Sequence, residues 1–393
     1  MKTKTLIKAI LSISAISFIL PFYATADGKV IYGQDDRIEY FQASAAVKTL
    51  ADGVVSLWSS TDIEFNQQTK TYKLKTQNFG QAVNLCQQER FREQPIGAFC
   101  SGSLVGPDLV MTAGHCATSE SKCKDTKFVF GFAIKKDGGT ASDTIPAGEV
   151  YSCKKIVTRV QGAEENSSNV EAQNLGHNYP PVKGTVQTLN KIRAQDLGPD
   201  YALIQLDRPV AERKPLQINR NQNLKKGESM FVIGHPVGLP LKVAGGATVR
   251  DPSPKGYFVA DLDTYGGNSG SPVFNTKTKL VEGILVRGET DFVTTPQGCR
   301  ISNVVGQNAG RGEDVTKVSE LASFIPQLKD TLVNYISDFS DFVSDTVSGA
   351  VSFITGSKQN PRFDGTTEIE KPQQDTEAVK DAIDSKFGTF SFD

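Results

Sequence analysis

The stretch DLDTYGGNSGSPVF, Asp261 to Phe274, decides how this sequence is read. Its serine, Ser269, stands between Asn268 and Gly270, with Gly266 and Gly267 just before and Ser271-Pro272 just after. Gly, Asn, Ser and Pro are the ordinary residues of turns, so by itself the segment reads as a loop joining two strands. A chemical role for Ser269 needs partners elsewhere in the chain.

Two segments supply them. In AFCSGSLVGPDLVMTAGHC, His115 follows a strand-like LVMTA and sits beside Cys116; in LGPDYALIQLDRPV, Asp200 directly precedes a run with the pattern of a buried strand. Taken singly, a histidine next to a cysteine is a structural residue and an aspartate at a strand mouth is a cap. In the order His115, Asp200, Ser269, each at the edge of a strand, they are the three groups an acyl-transfer site requires. A serine hydroxyl is a weak nucleophile near neutral pH, and imidazole has the proton affinity to activate it. Asp200 would fix the imidazole tautomer and stabilise the imidazolium. The glycines around Ser269 would let the amides of Gly267 and Ser269 converge on an oxyanion, where losing one donor typically costs about 3 kcal/mol.

The surrounding pattern is all-β. FVFGFAI, EVYSCKKIVTRV, YALIQLD, SMFVIGH, KGYFVADL and KLVEGILVRG are short, rich in Val, Ile, Phe and Tyr, and bounded by Gly, Pro, Asn or Asp. Strands at this spacing without intervening helices indicate an antiparallel barrel or sandwich. One helix is expected near GQAVNLCQQERF, and the polar run between Ile156 and Pro199 reads as a long surface excursion. That excursion holds His177, read as a surface residue, and the sequon Asn166-Ser167-Ser168; His235, before Pro236, reads as a turn residue.

The chain has 393 residues, 38% hydrophobic and 22% charged, enough for one large folded unit or two. Residues 1–26 have the form of a signal peptide: Lys2, Lys4 and Lys8, an apolar run from Ala9 to Phe22, and Ala24-Thr25-Ala26 as a small-residue cleavage site. The apolar run is shorter than a spanning helix needs, and no later stretch is apolar enough to span. Removing three lysines takes the formal charge from −1 to −4. That balance argues against nucleic acid as a partner. The six cysteines fit an exported protein, none arranged as a metal-ligand cluster. Cys100 and Cys116 bracket a short loop suited to a disulfide; partners for Cys86, Cys123, Cys153 and Cys299 stay open, although Cys123 and Cys153 flank what read as neighbouring strands.

After about Asp314 the pattern changes. Leu321, Ile325, Leu328, Leu332, Ile336, Phe339, Val343, Val347, Val351 and Ile354 recur every three or four residues, a helical stripe interrupted at Pro326. One reading packs its first part on the body; the other makes it a partner-binding or membrane-surface helix, whose polar face of Ser and Asp rather than Lys and Arg counts against anionic lipid. From Lys358 onward the composition is that of a tail, with DTEAVKDAIDSKF as a short helical segment.

TAGHC, DYALIQLD and GGNSGSPVF resemble the three catalytic segments of chymotrypsin-like serine proteases, and GNSGSP with VIGHPVGLPLK resembles the bacterial glutamyl-endopeptidase branch. The resemblance spans roughly Val54 to Ile325. It implies two six-stranded antiparallel β-barrels, with His115 and Asp200 on the first and Ser269 on the second, followed here by a C-terminal helical extension over residues 326–393. It implies a secreted or periplasmic endopeptidase acting on protein or peptide substrates without cofactor or metal. It further implies a substrate pocket at Asp263, Thr264, Leu285, Val286, Arg287 and Gly288. Asp263 falls where trypsin-like members carry the carboxylate that selects basic side chains; Arg287 would either suit an acidic one or simply point to water, the commoner fate of an arginine.

Two departures and one further likeness bear on the carry-over. Asn268 stands where animal members have an aspartate that pairs with a newly released amino terminus. Leu285 stands where the glutamyl endopeptidases have a histidine. VIYGQDDR, from Val30, resembles their mature amino terminus, so residues 27–53 are an N-terminal segment with a candidate short propeptide: cleavage after Lys29 would free Val30, and signal cleavage alone would leave Asp27 first. A non-catalytic protease-fold protein that binds through its helical tail is the alternative reading, and a protease with a separate peptide-binding domain is disfavoured by the lack of such a pattern after the catalytic region.

Overall fold

In the computed structural model, the structure describes residues 30–162 and 197–327. The strand-like runs close into two barrels. Val54–Ser59, Cys100–Gly106, Leu109–Thr112, Thr126–Phe130, Val150–Val160 and Tyr201–Leu206 form a closed six-stranded antiparallel barrel. Ser229–Gly234, Pro272–Asn275, Val281–Arg287, Glu313–Lys317, Tyr257–Ala260 and Lys242–Asp251 form a second ring, closed by pairing of its last strand with its first. A short strand, Ile38–Glu39, adds to the outside of Lys242–Asp251.

Side-chain alternation explains how the barrels meet. Along Ser229–Gly234, Met230 and Val232 point into the second barrel's own core, with Phe258, Leu285 and Val315. Phe231 and Ile233 point the other way, into the large core shared with first-barrel residues such as Leu104, Met111 and Leu203. A period-2 strand buried on both faces reads as a continuous apolar run, which is what MFVIG is. Phe231 stacks on Phe274 at 4.9 Å within this seam.

The helix expected near GQAVNLCQQERF is shorter than its pattern suggests, covering only Phe79–Ala82. Asn84 turns left-handed at φ 55°, and Cys86 donates its amide to Arg300, which stops propagation. Of the C-terminal stripe, Leu321 and Ile325 are buried on the body, carried by short 3₁₀ turns at Val318–Glu320 and Ala322–Phe324. Arg220 holds that end by donating to the carbonyls of Ala322 and Ile325, each at 2.6 Å. The stripe from Leu328, the remainder of the C-terminal extension, the signal-peptide segment 1–26 and most of the polar excursion with His177 lie outside the described residues. Among the described residues no helix is long and apolar enough to cross a membrane.

All six cysteines pair: Cys86–Cys299, Cys100–Cys116 and Cys123–Cys153. The Cys123–Cys153 bridge ties the short helix Glu120–Lys124 to the strand Val150–Val160. Cys86–Cys299 spans 213 residues. Closing a loop of that length restricts the unfolded chain by about 5 kcal/mol in the chain-entropy model. The double variant Cys86→Ser/Cys299→Ser is therefore expected to lose at least several degrees of thermal midpoint by calorimetry; an unchanged midpoint would mean the bridge adds nothing to stability.

Candidate active site

His115 lies in a single 3₁₀ turn, Gly114–Cys116, at the end of the strand Leu109–Thr112. The Cys100–Cys116 disulfide fixes that turn to the neighbouring strand. Asp200 precedes Tyr201–Leu206, the strand paired with Leu109–Thr112, so pairing brings the two side chains together. Asp200 grips His115 at two points: the His115 amide donates to Oδ1 at 3.1 Å, and Nδ1 lies 2.7 Å from Oδ2. Asp200 is itself anchored to the second barrel, donating its amide to Thr316 Oγ1 and accepting from that hydroxyl at its carbonyl, both at 2.9 Å. Burial is the largest single influence on the Asp200 carboxyl and opposes its ionisation. The His115 hydrogen bond and the charges of His115 and Arg287 together outweigh it and hold the group below its ordinary value.

Ser269 sits at the bend of the Asp261–Phe274 segment, with Gly267 at φ 77° and Gly270 at φ 90°, conformations that side chains with a Cβ resist. A Cβ at position 270 would also lie 2.0 Å from the Ser101 carbonyl. First-barrel atoms clamp this bend. The Ser101 amide donates to the Ser269 carbonyl at 2.8 Å, and Cys116 Sγ lies 3.7 Å from the same oxygen. The His115 ring and the Cys116 sulfur are within 4.8 Å of each other, so the residue beside the nucleophile candidate's main chain is the neighbour of the histidine. Those groups with Cys100 form a cluster of metal-ligand residue types; its two sulfurs are joined in a disulfide, which removes their thiolates as ligands.

The pocket candidates are distributed differently. Asp263 is buried, and its two oxygens accept the amides of Tyr32 at 2.7 Å and Asp36 at 3.2 Å, turning the carboxylate toward the N-terminal segment. Thr264 donates through Oγ1 to Glu313 Oε2 at 3.1 Å, and this carboxylate occupies the space a side chain at Gly288 would take. Leu285 packs in the second-barrel core and Val286 in the shared core. Arg287 binds Asp314 Oδ2 at 3.1 Å and the Gly198 carbonyl at 2.7 Å. Arg311 donates to both oxygens of the same Asp314, at 2.6 and 2.8 Å.

Several neighbours of the site carried no sequence signal. Glu313 reads in sequence as an ordinary strand-edge acid. Ser101 accepts the His235 amide at 2.9 Å and donates to the Gly267 carbonyl at 3.0 Å. His235 is a turn residue, as its sequence context indicates, but a fully buried one, stacked on Phe132, and burial pushes its imidazole down to about 4. Arg37 is buried with its guanidinium over the Tyr265 ring at 4.0 Å, donating to Tyr265 Oη at 2.9 Å and to Asp35. Only a cationic residue followed by short strands marks it in sequence, and nothing local says that it faces the serine-bearing loop.

Residues 100–284 match the family model described as a trypsin-like peptidase domain, a range that contains His115, Asp200 and Ser269. The matched range takes in strands of both barrels, the architecture that a likeness to the chymotrypsin-like serine proteases implies. Among curated proteins it is similar to glutamyl endopeptidase of Staphylococcus epidermidis, 27% identical over 163 residues, covering 38% of this chain and 55% of the relative. It is also similar to Protease Do-like 5, chloroplastic, of Arabidopsis thaliana, 30% identical over 95 residues, covering 22% of this chain and 29% of the relative. The chain thus spans about half the length of the glutamyl endopeptidase it matches. Solved structures with a likeness include the Vibrio cholerae VesB protease, at TM-score 0.39 and 15% identity over 77% of this chain and 68% of that one. Another is a Glu endopeptidase in complex with MPD, at TM-score 0.35 and 14% identity over 78% and 99%.

The contact between Asp36 and Asp263 generates a pH prediction. Burial first, and then the neighbouring Asp263, push the Asp36 carboxyl upward; Asp263 is also raised by burial against the pull of its two amide donors. The folded pair therefore keeps a proton that the unfolded chain releases near pH 4. Its contribution to stability is present at low pH and is lost as pH rises through the raised folded range. Asp36→Asn supplies the hydrogen without titrating. Its urea midpoint is expected to pull ahead of wild type between pH 5 and pH 8, whereas parallel midpoints would show that no proton is shared.

Proposed function

We propose that the protein is an exported serine endopeptidase, hydrolysing peptide bonds of protein substrates with Ser269 as nucleophile, His115 as general base and acid, and Asp200 as the group that orients the imidazole. The observation that carries this reading is the two-point grip of Asp200 on His115, beside a serine in a glycine-rich bend whose carbonyl is held by the His115-bearing barrel. With Nδ1–H committed to Asp200, Nε2 is the nitrogen left to accept the hydroxyl proton.

Chemistry follows from that tautomer. Ser269 Oγ adds to the scissile carbonyl as its proton passes to Nε2, and the imidazolium is stabilised by the Asp200 carboxylate. The carbonyl oxygen becomes an oxyanion that the Gly267 and Ser269 amides would receive. The imidazolium then protonates the departing amine, the C–N bond breaks and an acyl-enzyme remains. Water, losing its proton to Nε2, releases the acid and restores Ser269. No cofactor or metal is needed for any step. Three disulfides and the signal-like leader support an oxidising, extracellular or periplasmic setting.

The test compares wild type with Ser269→Ala and Asp200→Asn on a mixed peptide library read by mass spectrometry. Ser269→Ala is expected to lose about 10⁶-fold in turnover and Asp200→Asn about 10⁴-fold. Residues preceding the cut bonds would report the pocket's preference: basic ones favour the carboxylates Asp263 and Glu313 as determinants, acidic ones Arg287. A wild type that cleaves nothing, also when it begins at Val30, would sink the enzyme reading and favour the non-catalytic binding protein.

A further inference from the structure

The Gly266–Gly267 peptide has two glycines and therefore little preference of its own between the orientation that serves an oxyanion and its flipped counterpart. Something must hold it. The Gly266 carbonyl accepts the Val237 amide at 2.5 Å, and the peptide is trans. In a trans peptide the C=O and the N–H point in opposite directions, so an oxygen drawn toward Val237 leaves the Gly267 amide facing away from it. On the other side of Gly267, its own carbonyl accepts the Ser101 hydroxyl at 3.0 Å.

Val237 makes that contact from a conformation valine avoids. Its backbone is left-handed, φ 46° and ψ 23°, inside the turn Pro236–Gly238. For a β-branched residue this is strained, and such strain persists only where the surroundings impose it. Here they do so from both ends. The His235 amide is bound to Ser101 Oγ, and the His235 ring, through Nδ1, contacts the Leu239 carbonyl at 3.0 Å. Inside the turn the Gly238 amide reaches the His235 carbonyl at 3.0 Å, and the Leu239 amide reaches the Pro236 carbonyl at 2.8 Å. The two turns approach so closely that a Cβ at position 267 would lie 2.9 Å from Val237 N, Gly238 N and the His235 carbonyl.

We propose that Val237 is a positioning residue for the oxyanion site: its left-handed main chain aims its amide at the Gly266 carbonyl and so holds the Gly267 amide toward the oxygen that becomes negative. The proposal rests on the protease reading given above. It assigns the strained HPVG turn, which otherwise has no part in the reaction, the task of keeping a flexible diglycine in one of its two orientations before substrate arrives.

Replacing the Val237 amide by an ester in the full chain, Val237→α-hydroxyisovalerate, deletes the donor and keeps the side chain. The expected result is a fall in kcat of about 10- to 100-fold at nearly constant KM, with an equal loss of affinity for a peptide aldehyde, whose adduct places an oxyanion in the site. The ester Leu239→α-hydroxyisocaproate removes a hydrogen bond of the same turn without touching Gly266, and is expected to stay within about twofold of wild type on a scale where a lost oxyanion donor costs 10²-fold or more. Val237→Gly keeps the amide and relaxes the strain; it is expected to lose less than the Val237 ester and to gain thermal midpoint. Equal losses from the two esters, or a Val237 ester that works as well as wild type, would overturn the proposal. Should wild type itself cleave nothing, the protease reading fails separately, and crystal structures of wild type and the Val237 ester decide the positioning: a flipped Gly266–Gly267 peptide in the ester supports it, an unflipped one refutes it.

Discussion

The polar atoms of Ser101 join the two halves of the site. Its amide holds the Ser269 carbonyl, its carbonyl accepts Thr112 Oγ1 at 2.7 Å, and its hydroxyl sits between the His235 amide and the Gly267 carbonyl. The preceding residue, Cys100, is bonded to Cys116, the neighbour of His115. The candidate base comes from one barrel and the candidate nucleophile from the other, so a small slip along the seam would separate them. Geometry at that level is worth orders of magnitude in rate, and a buried serine with all its hydrogen-bonding groups used resists such a slip.

A second constraint comes from the N-terminal segment. Val30, Ile31 and Tyr32 are buried, and Ile31–Tyr32 pairs in parallel with Val304–Val305. Five residues after Tyr32, Arg37 lies against Tyr265, inside the serine-bearing loop, while the Asp263 carboxylate caps the amides of Tyr32 and Asp36. Such burial of a guanidinium is tolerable because Asp35, Tyr265 and the faces of two aromatic rings replace water. Lys242 is similarly buried and similarly compensated, by Glu39 at 3.1 Å, Gln94 at 2.9 Å and the Pro240 carbonyl at 2.7 Å. These contacts make the segment a strut of the loop that carries Ser269. Its amides meet Asp263, and the carboxylate nearest Thr264 and Gly288 is Glu313.

Much of this was legible in the chain itself. Period-2 runs of Val, Ile and Phe specify strands, and they do so because alternation and β-branching are local properties. His115, Asp200 and Ser269 stand out as candidates for the same reason: each lies in a short segment whose residue types suit a chemical need. Sequence could not show the reach of a long side chain or the facing of a carboxylate, so Asp263 reads as a pocket acid by its distance from Ser269 while its oxygens serve the main chain of residues 32 and 36.

What the sequence by itself determined is the all-β pattern and the order in which the candidate histidine, aspartate and serine occur. Tertiary structure alone decided which cysteines pair, that Arg287 is taken up by Asp314, and that Val237 is forced left-handed beneath the Gly266 carbonyl. The physical reason is range. Propensity and alternation act between near neighbours, whereas disulfide partners 213 residues apart, buried ion pairs and imposed backbone strain exist only once distant segments have been packed together.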